Sequence, residues 1–240
     1  MCSDKFYAFI PARAGSKGIP GKNIKMMAGK SLVRWVIDAA INAKNIDKII
    51  ISTDIDCIFD WKLSNKVEVI KRPKYQANDI AQLEPIMVDY AKKNNNANNH
   101  MILLQPTSPM LQSGDIDGAI NLYDYHTSVL SGYKSHQFFY NYTKNSCPNS
   151  VTPSNYNPFF RPRRQDWGGC CVENGAIYIN SFDNIIRDTC RLSGWNIGLY
   201  EMPMSRSFEV DRIDDWNLIE SLLLRKNNTN EKANNYEKTT

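Results

Sequence analysis

A loop rich in glycine and in cationic side chains follows the first apolar segment of the chain. It runs from Pro11 to Asn23 and contains three glycines, two prolines and the cations Arg13, Lys17 and Lys22. Glycine accepts positive φ and lets backbone N–H groups approach an anion closely, while arginine and lysine add positive charge suited to phosphate. The loop therefore predicts a polyphosphate site, to which the next helix would add its N-terminus if it starts near Ser31.

Two simpler interpretations of this region are a P-loop and a solvated turn. Gly29-Lys30-Ser31 resembles the end of a P-loop, but that motif requires glycine at position 24, where this chain has Ile24. We therefore exclude a P-loop. A solvated turn with incidental lysines is the other alternative, and the density of glycines and cations between residues 11 and 23 argues against it.

Two carboxylates near the end of the chain form a second candidate site. Glu209 and Asp211 are two residues apart in an apparent strand, which would place both side chains on one face. Mg²⁺ binds through one or two carboxylates together with substrate phosphates, so we expect this pair to hold Mg²⁺ beside a bound polyphosphate. Helix capping is the alternative for the whole acidic cluster, and we assign that role to Asp214 and Asp215 ahead of the final helix.

Polar residues also follow two further predicted strands. Arg72 comes directly after the apolar stretch 67–70, and Gln105-Pro106-Thr107-Ser108 comes after the stretch 101–104. A polar run at the end of a buried strand is expected at a binding site. The alternatives are a surface arginine at a strand end for Arg72 and, for the other segment, a turn built by its prolines in which Thr107 or Ser108 bonds to the backbone.

The elements that position these residues alternate between short apolar strands and amphipathic helices. Strands are predicted at residues 6–10, 48–53, 67–70, 101–104, 128–132, 176–179 and 197–200, and helices at 31–44, 83–93, 116–125 and 214–225. This order predicts an α/β fold with a mainly parallel sheet flanked by helices. Because crossovers are right-handed, the carboxyl ends of the strands share one edge, where such sheets bind ligands. The chemistry is therefore expected at residues 11–23, 54, 72–82 and 105–109.

Length and composition suggest one domain. The 240 residues carry 29 Lys and Arg against 25 Asp and Glu, an excess of +4 that fits a small anionic ligand and lacks the basic stripe of a nucleic-acid binder. We expect a domain over residues 1–226, interrupted by an aromatic and arginine-rich insertion at about 134–170, and a polar, disordered tail at 227–240. No apolar run approaches the roughly 20 residues of a membrane span. The six cysteines lack zinc spacing, so we expect reduced thiols in a cytoplasmic protein.

Four segments in order resemble those of acylneuraminate cytidylyltransferases. They are the loop 11–23, the segment 103–109, Arg164-Gln165 followed by 174–179, and the segment 208–215. The loop also resembles, more loosely, that of Kdo cytidylyltransferases. The resemblance spans residues 6 to about 225 and implies a Rossmann-like nucleotidyltransferase fold. It also implies Mg²⁺-assisted transfer of CMP from CTP to the anomeric hydroxyl of a nonulosonic, sialic-acid-like sugar, with release of pyrophosphate.

The resemblance also implies roles for residues on the nucleotide side of the site. The phosphates of CTP would be held by four residues of the loop, Arg13, Ser16, Lys17 and Lys22, with Asn23 near the nucleotide. Arg72 and backbone groups of Ala81 would contact the cytosine. Lys22, Arg13 and Asp211 are the residues expected to act directly in catalysis, with Glu209 as the second metal ligand.

The sugar side of the site would be formed by the segment after the fourth strand and by one arginine. Gln105, Thr107 and Ser108 would contact the sugar, and Arg164 would bind its carboxylate with two hydrogen bonds. Where the family tends to carry proline and an aromatic residue, this chain has Trp167-Gly-Gly-Cys-Cys171. Kdo, pseudaminic or legionaminic acid therefore remains an alternative substrate, and an inactive nucleotide-binding protein is a second alternative. The insertion is expected to form a homodimer interface.

Overall fold

The computed structural model describes residues 4–16, 18–73, 82–143 and 149–237, with side chains described up to residue 226. The predicted site residues Lys17 and Ala81 lie outside these ranges. The strands are β1 (Lys5–Ala12), β2 (Met26–Met27), β3 (Lys30–Ser31), β4 (Lys48–Thr53), β5 (Val67–Lys71), β6 (Asn99–Leu104), β7 (Ser128–Ser135), β8 (Tyr140–Tyr142), β9 (Val151–Pro153), β10 (Cys170–Ser181) and β11 (Ile197–Glu201).

The helices are α1 (Leu32–Asn42), α2 (Asp56–Phe59), α3 (Glu84–Lys93), α4 (Ser113–Tyr123), α5 (Phe182–Asp188) and α6 (Ile213–Glu237), with single 3-10 turns at Pro158–Phe160 and Met204–Arg206. Four helices lie at the predicted positions, α2 and α5 were not predicted, and α6 extends beyond its predicted end. In the described part of the chain, none of these helices combines the length and the apolar character that crossing a bilayer requires.

One seven-stranded sheet organises the described residues, in the order β11-β7-β10-β6-β1-β4-β5. β6, β1, β4 and β5 pair in parallel, and β11 pairs in parallel with β7. Only β10 runs against its neighbours β6 and β7. The predicted α/β fold with a mainly parallel sheet is therefore confirmed. The chain winds outward from β1 through β4 to β5 and then returns to β6 on the other side of β1, so the strand order reverses between β1 and β6.

The core lies on both faces of this sheet. Strand β4 illustrates the arrangement, since Ile49 and Ile51 join the apolar cluster that contains α1 and α4 residues, while Ile50 joins the cluster that contains α3 and α5 residues. Successive side chains of a strand point to opposite faces. A strand covered on both faces therefore reads as a continuous apolar run, and this is why residues 48–53 were recognisable in the sequence.

The end of α6 differs from the prediction. The helix continues to Glu237, whereas the sequence pattern placed its end at Arg225. The apolar periodicity stops there, but residues 226–237 contain no glycine or proline to end the helix. The division into a domain at 1–226 and a disordered tail stays a prediction, because side chains beyond residue 226 lie outside the described set.

The region 134–170 departs from the α/β rhythm in the structure as well. β8 and β9 form a separate antiparallel pair outside the central sheet. The ring of Phe138 stacks on Trp167 with centroids 4.8 Å apart and contacts Tyr156 at 4.3 Å. The guanidinium of Arg161 lies over the Phe138 ring, 4.5 Å from its centroid. The aromatic residues of this segment therefore form a cluster of their own beside the sheet.

Candidate active site

Four polar residues lie at the carboxyl ends of the four adjacent parallel strands. Arg13 follows β1, Asp54 follows β4, Arg72 follows β5 and Gln105 follows β6. The ends of β1 and β6 flank the point at which the strand order reverses, the usual ligand site of such sheets. The expectation that the candidate residues gather at one edge is therefore confirmed for these four positions.

The glycine-rich loop is fixed to this edge by hydrogen bonds at both ends. The backbone N–H of Ala14 donates to Oδ1 of Asp54 at 2.8 Å. The side-chain amide of Asn23 is buried and donates to the carbonyl oxygen of Arg13 at 2.8 Å. Asn23 thus closes the loop on itself, so its side chain shapes the site from within, while Ser16 lies half-buried in the same loop.

The N-terminus of α1 does not serve the site as predicted. The N–H of Leu32 donates to the carbonyl of Lys25, and the N–H of Val33 donates to the carbonyl of Asn23, both at 3.0 Å. The helix does start directly after Ser31. Its first N–H groups are occupied by the loop itself, so the prediction that they would bind an anion is wrong.

Lys22 joins the loop to the acidic segment near the end of the chain. Its ammonium donates to the carbonyl oxygen of Val210 at 2.6 Å and lies 3.4 Å from Oδ1 of Asp211. The side chain of Lys22 is 14% exposed and that of Asp211 is 69% exposed. A Cβ atom on Gly18 would lie 2.3 Å from the carbonyl oxygen of Asp211, so the loop also packs directly on this backbone. Two parts of the sequence almost 190 residues apart thus form one site.

The acidic segment is not a strand, and that prediction is wrong. Residues 207–211 form no ladder, and the backbone N–H of Val210 instead donates to the carbonyl of Thr107 at 2.8 Å. The carboxylate of Asp215 accepts from the backbone N–H groups of Asp211 at 3.1 Å and Arg212 at 2.8 Å. The capping role expected of Asp215 is confirmed, and this cap leaves the Asp211 carboxylate available at the surface.

Glu209 sits in a crowded anionic environment. Its carboxylate packs against Gly175, where a Cβ atom would lie 1.5 Å from Oε1. Burial, together with the charges of Asp211 and Glu173, raises the pKa of Glu209 to about 7, and the charge of Lys22 opposes the shift. Carboxylates that repel one another in this way are stabilised by a cation.

The donor set fits Mg²⁺ bound together with a substrate phosphate. Among the described residues, no three His, Cys, Asp or Glu side chains gather into a ready-made metal site. Mg²⁺ has no need of one, since it usually keeps several waters and binds through one or two carboxylates plus substrate phosphates. Glu209 and Asp211 supply two such carboxylates beside the cationic loop.

Arg72 is a buried residue, so its interpretation as a surface arginine is wrong. It is 5% exposed, and its backbone N–H donates to the carbonyl of Thr53 at 2.8 Å. Burial lowers the pKa of its guanidinium, the charge of Arg13 lowers it further, and Asp54 opposes the shift. Arg13 and Arg72 follow β1 and β5, the strands on either side of β4, and the repulsion between their guanidinium groups favours binding of an anionic or strongly polar group.

The segment after β6 forms the turn that was weighed as an alternative. The N–H of Ser108 donates to the carbonyl of Gln105, and the N–H of Leu111 donates to the carbonyl of Ser108, both at 3.2 Å. Thr107 contributes its carbonyl to the acidic segment, as described above for Val210. The Ser108 hydroxyl is buried and has no hydrogen-bond partner among the described residues. Gln105 is half-buried at the start of the turn, and it follows β6, which pairs with β1, the strand that leads into the loop.

Arg164 lies apart from these residues in a different cleft. The cleft has a volume of about 330 Å³, and its other walls are formed by residues 134–137 and Met204. Arg164 is exposed and forms no hydrogen bond or ion pair with the described residues. The structure therefore does not bring Arg164 into contact with the loop, although Met204 connects its cleft to the segment that leads to Glu209.

Sequence reasoning gave no role to two carboxylates of the site. Asp54 orients the loop by accepting a hydrogen bond from the backbone N–H of Ala14. The sequence feature that could have identified Asp54 is its position directly after the buried strand β4. Glu173 lies near Glu209 and accepts a hydrogen bond from the hydroxyl of Tyr178. No sequence signal identified Glu173, because its proximity depends on β10 running against β6.

A sequence profile described as "Cytidylyltransferase" matches residues 7–238 of the chain. An N-acylneuraminate cytidylyltransferase of Oncorhynchus mykiss is 34% identical over 220 residues, which cover 91% of this chain and 50% of that protein. An N-acylneuraminate cytidylyltransferase of Streptococcus agalactiae serotype III (strain NEM316) is 30% identical over 213 residues, covering 86% of this chain and 50% of that protein. The chain thus spans about half the length of the curated relatives it matches.

Solved structures share the fold at low sequence identity. A CMP:2-keto-3-deoxy-manno-octonic acid synthetase complexed with CTP superposes with a TM-score of 0.66 at 17% identity, covering 92% of this chain and 99% of that chain. A 4-diphosphocytidyl-2C-methyl-D-erythritol synthase superposes with a TM-score of 0.68 at 11% identity, covering 93% and 100%. The expected Rossmann-like nucleotidyltransferase fold is therefore confirmed.

Proposed function

The chain belongs to the cytidylyltransferase family, and from that premise we propose that it transfers CMP from CTP to the anomeric hydroxyl of a nonulosonic, sialic-acid-like sugar. The observation that carries this proposal is the contact that Lys22 makes between the cationic loop and the acidic segment. This contact lies near the point between β1 and β6 at which the strand order reverses. The names of the relatives, N-acylneuraminate cytidylyltransferases, support the choice of sugar class.

The reaction is a direct displacement at phosphorus. The anomeric oxygen forms a bond to the α-phosphorus of CTP, the bond from that phosphorus to the bridging oxygen breaks, and pyrophosphate leaves. The hydroxyl proton passes to water or to the departing phosphate. The contribution of the protein is then positioning and charge stabilisation. Arg13, Ser16, Lys17 and Lys22 bind the triphosphate, whereas Arg72 and the backbone of Ala81 contact the base.

Asp211 and Glu209 hold Mg²⁺ in this proposal. When bound, the ion neutralises charge on the phosphate oxygens as pyrophosphate departs. The carboxylate of Asp211 is exposed and fixed in place by the Asp215 cap on its backbone, which supports its role as the main ligand. Lys22 belongs to the loop, and its ammonium, 3.4 Å from this carboxylate, is placed to contact the triphosphate beside the metal ligands.

The sugar acid lies over the turn after β6. Gln105 is the member of this turn nearest the loop in sequence order, and the buried Ser108 hydroxyl is available for a hydrogen bond. Thr107 supports the site through its carbonyl, and Arg164 binds the sugar carboxylate from the neighbouring cleft. Because residues 167–171 differ from the family pattern beside that cleft, Kdo, pseudaminic and legionaminic acid belong in any test of specificity.

The proposal includes a homodimer in a reducing, cytoplasmic compartment. Phe159 and Phe160 are 88% and 82% exposed, and Tyr142 is 83% exposed, so the insertion presents aromatic side chains suited to burial against a second copy. The described cysteines are free thiols, as expected in a reducing compartment.

Release of pyrophosphate tests the proposed function. The chain is incubated with Mg²⁺, each of CTP, UTP, ATP and GTP, and a panel of N-acylneuraminic, legionaminic, pseudaminic and Kdo sugars. We expect release that requires CTP and one of the sugars, and its loss in Asp211→Ala and Lys22→Ala. CTP binding without release for every sugar would identify the chain as a nucleotide-binding protein and contradict the proposal.

A further inference from the structure

The segment that carries the acidic pair has little backbone support. Residues 207–211 belong to no helix or strand, and Val210 N–H bonding to the Thr107 carbonyl ties the middle of the segment to the turn after β6. The Asp215 cap holds its far end. The entry to the segment is the 3-10 turn Met204–Arg206, so the position of Glu209 and Asp211 depends on what anchors that turn.

A buried ion pair anchors the turn to α4. The guanidinium of Arg206 forms a two-pronged interaction with the carboxylate of Asp115, in which Nη2 lies 2.8 Å from Oδ1 and Nη1 donates to Oδ2. Asp115 is 3% exposed. Its carboxylate also accepts from the backbone N–H of Gln112 at 2.9 Å, the capping interaction that starts α4. Arg206 is therefore bonded to a side chain that is itself fixed by the helix.

α4 is the element that follows the turn Gln105–Ser108. The Arg206–Asp115 pair and the Val210–Thr107 bond therefore tie the acidic segment to the same stretch of chain at two points. A two-pronged guanidinium–carboxylate pair fixes direction as well as distance, which a single lysine bond does not.

A second polar chain holds the residue after Arg206. The side-chain amide of Asn174 donates to the hydroxyl of Ser207 at 3.0 Å, and the hydroxyl of Ser131 donates to Oδ1 of Asn174 at 2.6 Å. All three residues are buried. These hydrogen bonds, which involve no charged group, secure Ser207 to β7 and β10. They therefore limit how far the segment moves when the ion pair is removed.

We propose that Arg206 is a positioning residue for the metal carboxylates, acting through Asp115. Arg206 forms no hydrogen bond or ion pair with Glu209 or Asp211, and it acts by fixing the turn from which their segment departs. The inference rests on the proposed function, because it takes Glu209 and Asp211 as the residues that hold a divalent cation.

The test compares variants of the pair for their response to the divalent cation. Arg206→Met leaves Asp115 buried without its partner, so the double variant Asp115→Asn with Arg206→Met is made as well. It leaves no unpaired charge, and the asparagine can still accept from Gln112. Arg206→Lys keeps the charge without the two-pronged bond. Arg34→Met, which breaks the Arg34–Asp38 ion pair on the surface of α1, is the matched control.

Two readouts are taken from folded protein: the Mg²⁺ concentration for half-maximal pyrophosphate release at saturating CTP and sugar, and Mn²⁺ binding in the presence of CTP by electron paramagnetic resonance. We expect both constants to rise about 10-fold in Arg206→Met and in the double variant, the low end of effects seen for residues that orient metal ligands. Arg206→Lys should lie between these and the wild type, and Arg34→Met should match the wild type.

Wild-type cation constants in the folded double variant would overturn the inference, as would an equal loss of rate at every Mg²⁺ concentration. Failure of the proposed function can be told apart from failure of this inference. If the wild-type chain releases no pyrophosphate, Mn²⁺ binding can still be compared between the wild type and the variants, because it does not require turnover. An unchanged Mn²⁺ constant in that comparison counts against the positioning role on its own.

Discussion

At the scale of single residues, Lys22 matters most, because it belongs to the phosphate loop and its ammonium lies 3.4 Å from the carboxylate of Asp211. Lys22→Met removes a charge placed where phosphate charge develops, so we expect kcat/KM for CTP to fall by about 10²- to 10³-fold. Lys25→Met is the matched control, because Lys25 belongs to the same region but its ammonium lies over the Trp216 ring at 4.9 Å. Equal losses in the two variants, measured by steady-state pyrophosphate release, would contradict the role of Lys22.

Glu209 predicts a dependence of stability on pH. Its pKa is raised from 4.5 to about 7 in the folded chain, so between these values the folded state retains a proton that the unfolded state has lost. The free energy of unfolding therefore falls as pH rises through this window. Glu209→Gln has no such proton to lose.

We expect the Tm of the wild type to fall more between pH 5 and pH 8 than that of Glu209→Gln, both measured without divalent cations by differential scanning calorimetry. Asp60→Asn, which changes an exposed carboxylate, should follow the wild type. Parallel Tm profiles for the wild type and Glu209→Gln would show that Glu209 is ionised throughout.

At the scale of elements, the loop packs closely against the acidic segment because Gly18 has no side chain. A Cβ atom on Gly18 would lie 2.3 Å from the Asp211 carbonyl oxygen, whereas a Cβ atom on Gly114, in α4, meets nothing within 4 Å. Gly18→Ala must push the loop away from Asp211. We expect it to lower kcat/KM for CTP by at least about 10-fold, while Gly114→Ala stays near the wild type, as judged by the same assay. Similar values for both variants would mean that this contact does not matter.

The elements of the fold differ in how well the sequence predicts them. Strand β4 was predicted with its bounds because it is covered on both faces, and the α/β alternation placed the carboxyl ends of β1, β5 and β6 within two residues of their positions in the structure. The apparent strand at Glu209 and Asp211 was wrong, since apolar alternation alone does not supply a neighbouring strand to pair with. The N-terminus of α1 was misjudged because carbonyls of Lys25 and Asn23, seven and ten residues earlier in the chain, accept from its first N–H groups, and no residue pattern shows that the preceding chain folds back in this way.

At the scale of the whole molecule, the exposed aromatics of the insertion predict a dimer. Phe159→Ser with Phe160→Ser removes two side chains that are mostly exposed in the single chain. We expect sedimentation velocity to give a dimer for the wild type and a monomer for this double variant. Trp195→Ser, which removes a fully exposed aromatic residue outside the insertion, should remain dimeric. A monomeric wild type would contradict the predicted dimer interface.

The fate of the anomeric oxygen tests the central claim most directly. The wild-type chain is incubated with CTP, Mg²⁺ and N-acylneuraminic acid labelled with oxygen-18 at the anomeric hydroxyl, and the products are analysed by mass spectrometry. The account predicts a CMP-sugar that retains the heavy oxygen in the bond to phosphorus, together with unlabelled pyrophosphate. A CMP-sugar without the label, or release of free CMP and pyrophosphate with the sugar unchanged, would contradict attack by the anomeric hydroxyl on the α-phosphorus.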